Sequence, residues 1–272
     1  MTEELKIKLK ELAQKYEVSS FCNSDPSQFI RRYSTPVDIE VACFITALLS
    51  FGNRKQFIPK IQMIFELADK SSGSISEWLK SGRFKTDFIS QIQNIESKFY
   101  RFYSYKDMLD LFEALSEILT QHDSFGSFIK QKWNGCLENK HNCLVAEKTK
   151  CDSIALCDVI SSSFQECAIV PKGKNSANKR INMFLRWMVR VDSPVDIGLW
   201  AWFTPTDLII PLDTHVLQQS VALGLIEAKQ NGDLPTANRK TALQITEALK
   251  QVWPTDPCKG DFALFGLGVS EK

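Results

Sequence analysis

The sequence has no apolar run long enough to cross a bilayer. Its longest apolar-rich stretch, residues 41–51, is far short of the roughly 20 residues a span requires. No membrane segment is therefore expected. Charge of one sign is not in excess either. The 33 basic residues stand against 32 acidic ones, which excludes a protein that binds nucleic acid over its whole surface but leaves room for a local basic cleft. Histidine is scarce: His122, His141 and His215 are too few for a histidine-rich metal site or a serine-type triad to be expected. None of the eight cysteines forms a C-x-x-C pair. The five between Cys136 and Cys167 do not follow the common paired spacing of zinc ligands, so no metal is expected there. The opening residues Met1-Thr2-Glu3-Glu4-Leu5-Lys6 carry no apolar core or small-residue cleavage site. No export signal is expected, and the thiols are read as reduced, in the cytoplasm. Low-complexity tracts are absent, and apolar residues make up 44% of the chain, enough to offset the entropy of ordering.

What is present is helical periodicity. Glycine and proline are sparse, clean alternation is rare, and no strand is expected. Leu5, Leu9, Leu12 and Tyr16 form the apolar stripe of a first helix. Thr35-Pro36 is a helix start, because threonine caps and proline suits the first helical position. The segment that follows, through Ser50, is apolar on nearly all sides and is read as a buried central helix. Further helices are expected over 53–69, 75–81, 104–121, 125–133, 176–191, 195–203, 214–223, 235–252 and 260–267, resuming near Ser153 after a polar stretch. That stretch, 135–150, lacks a period and is read as a long loop or lobe boundary. The expected fold is all-α, one compact chain of two helical lobes. Residues 36–150 form the first, and residues 1–35 with 151–272 the second.

Chemistry concentrates between Val170 and Val216. Val170-Pro171-Lys172-Gly173-Lys174-Asn175-Ser176 is a turn opening onto a helix, with Ser176 a natural N-cap and exposed N–H groups suited to a phosphate. A plain connection between helices is the bland alternative. In the helix that follows, Ile181, Phe184, Leu185 and Met188 face the core, while Lys179, Arg186 and Arg190 share the opposite face. From Lys172 to Arg190 there are six basic residues and no acidic one, a local cationic surface for an anionic partner unless it is only a solvated face. Asp213 follows an apolar run and opens a helix, with His215 on its first turn. By position alone it is a cap as readily as a catalytic group.

Pro211-Leu212-Asp213-Thr214-His215-Val216 resembles the P-V-D-T-H signature of the helix-hairpin-helix DNA glycosylases, the endonuclease III superfamily. Two further stretches fall in matching order. Thr46-Ala47-Leu48-Leu49-Ser50-Phe51-Gly52-Asn53 resembles the early helix whose loop probes the DNA opposite the target base. Leu249-Lys250-Gln251-Val252-Trp253-Pro254, with Asp261-Phe262-Ala263-Leu264-Phe265-Gly266-Leu267-Gly268, resembles the closing helices. The segment 179–190 taken with Asp213-Thr214-His215 also resembles a narrower bacterial family of conserved proteins of unknown function.

The resemblance implies a two-lobed helical fold and a base-excision glycosylase, with or without abasic-site lyase activity, acting on a flipped, damaged base in double-stranded DNA. It implies that Asp213 is catalytic. The usual hairpin L-P-G-x-G is here Val170-Pro171-Lys172-Gly173-Lys174, and Ser176 stands where bifunctional members carry their lysine. The amine is therefore assigned to Lys179 or Lys174. DNA contacts are assigned to Lys172, Gly173, Ser176, Arg180, Arg186 and Arg190, and to Gly52, Asn53, Arg54 and Lys55 as a second jaw. Only Cys258 lies near the position of the family's iron–sulfur loop, so no cluster and no other cofactor is expected. Two alternatives stay open, a non-catalytic helix-hairpin-helix DNA-binding protein and a helical protein-interaction module.

Overall fold

The computed structural model describes residues 1–90, 92–145, 154–173 and 175–270, and the side chains of all of these except 24, 139–145 and 270. In chain order the helices are α1 (Glu3–Tyr16), α2 (Pro36–Leu49), α3 (Arg54–Ser72), α4 (Ile75–Lys80), α5 (Phe84–Asp87), α6 (Tyr105–Gln121), α7 (Phe125–Val145), α8 (Leu156–Ser163), α9 (Lys179–Val189), α10 (Thr214–Ala222), α11 (Arg239–Lys250) and α12 (Lys259–Ser270). Short 3₁₀ turns occupy Ser19–Ser24, Pro26–Phe29 and Pro205–Asp207. The fold is all-α apart from one hairpin, β1 (Lys98–Tyr100) and β2 (Tyr103–Ser104), paired antiparallel.

Two compact units divide the chain. A terminal unit joins Met1–Gln28 to Gly173–Lys272, and an inserted unit comprises Phe29–Lys172. The crossings fall at 28/29 and 172/173, not near 35 and 150 as the composition suggests. The second difference has a local cause. The polar stretch after Gly135 continues α7 to Val145 instead of forming a loop. Beyond Val145, α8 belongs to the inserted unit and packs on α7.

In the inserted unit α2 is the core helix. Thr35 caps it, Pro36 opens it, and the whole run from Val41 to Leu49 is buried. The carboxylate of Asp38 in its first turn accepts from Ser74 Oγ at 2.6 Å and Ser76 N at 2.9 Å, tying α2 to the start of α4. Burial pushes this carboxyl up, but the bonds from Ser74, Thr35 and Ser76 outweigh it and hold it below the usual range.

In the terminal unit α12 packs against both α1 and α10. A Cβ at Gly266 would overlap the Tyr16 ring at the end of α1, so glycine permits this close approach. Gly266→Ala is expected to cost about 1–3 kcal/mol through overpacking. A urea unfolding midpoint unchanged from wild type would show that α1 is not seated there.

The segment 195–203, expected as a helix, is irregular. Its amides are engaged elsewhere: Ile197 N and Gly198 N donate to Trp187 O, and Trp200 N donates to Met188 O. These carbonyls end α9 and would otherwise lack partners, so the segment serves as a cap. Local periodicity cannot reveal such a use. Helix α11 is likewise shorter than its apolar pattern, starting at Arg239 after an Asn238 cap.

Candidate active site

Asp213 is the N-cap of α10. Its Oδ1 accepts from Val216 N at 2.9 Å. Its Oδ2 lies 3.5 Å from Lys179 Nζ. One carboxylate therefore caps with one oxygen and faces an amine with the other, so the structural and chemical roles do not compete. Lys179 is the first residue of α9, and the two side chains are 31% and 19% exposed. An amine and a carboxylate, 34 residues apart in sequence, thus meet at the starts of two helices, part-buried yet reachable. Lys174, the other candidate amine, lies outside the described residues.

The approach to α9 differs from the expected capped turn. Ser176 does not cap the helix. Its Oγ accepts from Asn178 N at 3.1 Å, and its backbone bridges Asn238. Asn178 takes the N-cap position in the left-handed region, φ 46°, and makes no side-chain cap bond. Both polar atoms of its buried amide lack a partner among the described residues, and so does His215 Nδ1. Unpaired buried polar groups cost about 1–3 kcal/mol each. Here they flank Lys179 and Asp213 in sequence. Sequence reading passed over Asn178, and the only signal would have been asparagine's tolerance of the left-handed region.

Arg186 and Arg190 correct the cationic surface expected from composition. They do share the Lys179 face, but that face is covered, and the two side chains are only 5% and 2% exposed. Arg186 Nε donates to Asp196 at 3.2 Å and its Nη1 to Asp261. Arg190 binds Asp256 at 2.8–2.9 Å, Glu17 at 2.8 Å, and Asp196. Phe262 lies against both guanidinium groups, with ring centroids 4.3 and 5.3 Å away. Glu17, Asp256 and Asp261 come from distant segments and Asp196 from just past the end of α9, all outside the stretch 172–190 whose charges were counted. Neither arginine is free to hold a phosphate.

Of the remaining assigned contacts, Arg180 is half-buried on α9. Lys172 is exposed and donates to Gln165 O, and Gly173 is exposed at φ 104° with open space around it. In the inserted unit Asn53 caps α3 by accepting from Lys55 N at 2.9 Å. Gly52 adopts φ 80°, and a Cβ there would run into the Arg101 guanidinium and the Tyr100 hydroxyl. Arg54 is half-buried and Lys55 exposed.

This loop meets a feature that the sequence reading missed. The hairpin tip between β1 and β2 carries Arg101, at φ 52°, and Phe102, which is 70% exposed. Phe102 lies 5.5 Å from the Phe51 ring and 4.5 Å from Tyr103, and Tyr100 Oη donates to Phe51 O. Arg101 stands over Phe51 at 5.9 Å. The aromatic cluster Tyr100-Arg101-Phe102-Tyr103 was the available signal, and the two strands were too short to register as such.

Among the described residues no three His, Cys, Asp or Glu side chains gather as metal ligands. The His141 and Cys143 side chains and Cys151 lie outside them. Cys258 is buried, and burial pushes its thiol well up, as an inert core cysteine. No helix is long and apolar enough to cross a membrane among the described residues.

The chain matches the family described as Protein of unknown function (DUF2400) over residues 25–270, and belongs to it. No curated protein matches it. No solved structure matches it either.

Proposed function

We propose that this protein is a base-excision DNA glycosylase with abasic-site lyase activity, in which Lys179 supplies the amine and Asp213 the carboxylate. The observation that carries the reading is the 3.5 Å approach of Lys179 Nζ to Asp213 Oδ2, in a chain whose Pro211–Val216 segment resembles the glycosylase signature. The approach supports Lys179 as the amine.

The chemistry suits the pair. A flipped nucleotide presents C1′ to the amine. The Nζ–C1′ bond forms as the C1′–N bond breaks, and its electron pair leaves with the base, which takes up a proton. The attacking nitrogen sheds its proton to the Asp213 carboxylate or to water. Opening of the sugar ring, with a proton taken up by its oxygen, then gives an iminium; loss of a C2′ proton to water supplies the electron pair that expels the 3′ phosphate. Positive charge develops on the sugar early, and a carboxylate held by the Val216 N–H is oriented to stabilise it without reorganising.

The aromatic tip of the inserted unit supports the DNA side of the reading. Phe102 offers an apolar face to stacked bases, while Arg101, Arg54 and Lys55 offer charge to phosphates. Phe102→Ala is expected to weaken binding to a lesion-bearing duplex by about 1–3 kcal/mol. Its melting temperature should not change, because the ring is exposed. Fluorescence anisotropy and thermal melts check both, and equal affinity for the two proteins would remove the tip from the interface.

Asp213→Asn tests the carboxylate. Asparagine still accepts from Val216 N and keeps the cap. The variant is expected to fold and bind duplex DNA yet lose base release by about 10²–10³-fold. If wild type releases nothing from duplexes carrying uracil, 8-oxoguanine or an alkylated purine, and does not cleave at an abasic site, the reading fails.

A further inference from the structure

The stripe Lys179–Arg186–Arg190 on α9 lies along a row of carboxylates. Asp213 faces Lys179, Asp261 and Asp196 face Arg186, and Asp196, Asp256 and Glu17 face Arg190. Lys179 and Asp213 at one end are part-exposed, as is Asp256 at the other, while Arg186, Asp196 and Asp261 between them are buried. The next rung inward is Arg186–Asp261. Asp261 stands on α12, one turn before Phe265, whose ring meets His215 edge-on at 6.0 Å. A Cβ at Gly268, two turns along, would come within 3.0 Å of His215 Cβ. The first turn of α10, which Asp213 caps, is thereby clamped onto the helix that carries Asp261.

We propose that Asp261 is a positioning residue for this site. With Arg186 it braces the face that presents Lys179, and its charge acts directly on the Lys179–Asp213 pair and sets the pH range in which that pair works. This rests on the reading of Lys179 and Asp213 as amine and carboxylate of an active site.

The electrostatics agree with the geometry. Burial pushes the Asp261 carboxyl up to about 6, Arg186 opposes this, Asp213 pushes it further up and Lys179 pulls it down. Interaction between titrating groups is mutual, so a change of charge on Asp261 is felt at Lys179 and Asp213. Below about pH 6 Asp261 is neutral and above it ionised, which changes the charge facing Arg186; burial also pushes up the carboxyl of Asp196, the other carboxylate on Arg186. An added negative charge behind Asp213 favours both the positive charge that develops on the sugar and the ammonium form of Lys179, so ionisation of Asp261 should shift the rate. Other charged groups border the row. His215 on α10 is near in sequence to Asp213, Asp25 acts on Arg186, and Lys259 pairs with Glu17 at 3.6 Å. Of these, His215 stands on the turn that Asp213 caps, so its part is tested separately from that of Asp261.

The test uses the full chain labelled with ¹³C at lysine Cε, followed by NMR between about pH 5 and 7.5. The Lys179 resonance is expected to step with a midpoint of about 6. The step should persist in His215→Gln and vanish in Asp261→Asn. A flat Lys179 resonance, a step that survives Asp261→Asn, or one that disappears with His215→Gln overturns the proposal. Should Asp261→Asn fail to fold, the side-chain carboxyl carbon of Asp261 in wild type must titrate with the same midpoint as Lys179 Cε, and unequal midpoints overturn it. Borohydride trapping on an abasic duplex, run over the same pH range, should show an inflection at that midpoint in wild type, and Asp261→Asn should lose the inflection. Trapping without the NMR step sinks the role of Asp261 and leaves the site intact. The step without trapping sinks the reading of the site, and the role of Asp261 in it.

Discussion

Arg190→Ala is expected to destabilise the protein by about 3–5 kcal/mol, the largest loss for any single substitution considered. The side chain is 2% exposed and is the partner of three carboxylates, Asp196, Asp256 and Glu17. Their charge holds the guanidinium protonated even more firmly than usual, although burial alone would do the reverse. Removing it takes one of two arginine partners from Asp196, which is wholly buried, and leaves Glu17 beside Lys259 at 3.6 Å. A buried carboxylate stripped of its counter-charge costs several kcal/mol. Arg190→Lys should recover part of the loss, since one ammonium cannot reach all three partners in the planar geometry of a guanidinium. Set against a typical total of about 5–15 kcal/mol, the alanine variant stands near the edge of folding at 37 °C. Urea unfolding measures this directly. A loss below about 1 kcal/mol would show that the ion pairs merely compensate their own desolvation.

The second large effect concerns chemistry and leaves the fold intact. Lys179→Ala is expected to abolish the borohydride-trapped adduct and to lower lesion processing by a factor on the order of 10³ or more, as loss of a nucleophile does. Stability should change little. The side chain is 31% exposed, and its contact with Asp213 is a single 3.5 Å ion pair near the surface. Asp213 also keeps its hydrogen bond from Val216 N when the lysine is gone. Unchanged melting with lost activity separates this residue from its neighbours Arg186 and Arg190, whose removal should act on stability first.

The contrast shows what was legible in the sequence. The stripe Lys179–Arg186–Arg190 followed from helical spacing, because angular position depends only on residue number. Whether the stripe faced water did not follow. It depends on Glu17, Asp196, Asp256 and Asp261, all of which lie outside α9. The Thr35-Pro36 start, the buried α2 and the cap at Asp213 were readable because their causes are local. The hairpin tip with Phe102 was not, since a three-residue strand carries no period. The segment 195–203 misled for a related reason. Its apolar spacing suits a helix, but its amides are claimed by the end of α9. At the site itself, the resemblance pointed to Asp213 and left two lysines; the starts of α9 and α10 bring Lys179 to 3.5 Å from Asp213, a meeting that no local spacing shows.

The most direct test of the account is covalent. Wild-type protein is incubated with a duplex bearing an abasic site, reduced with borohydride, digested, and the DNA-linked peptide sequenced by mass spectrometry. The account expects one adduct, on Lys179, absent when the same treatment is applied to Lys179→Ala. An adduct on a different residue, or none on duplexes that the protein demonstrably binds, would contradict it.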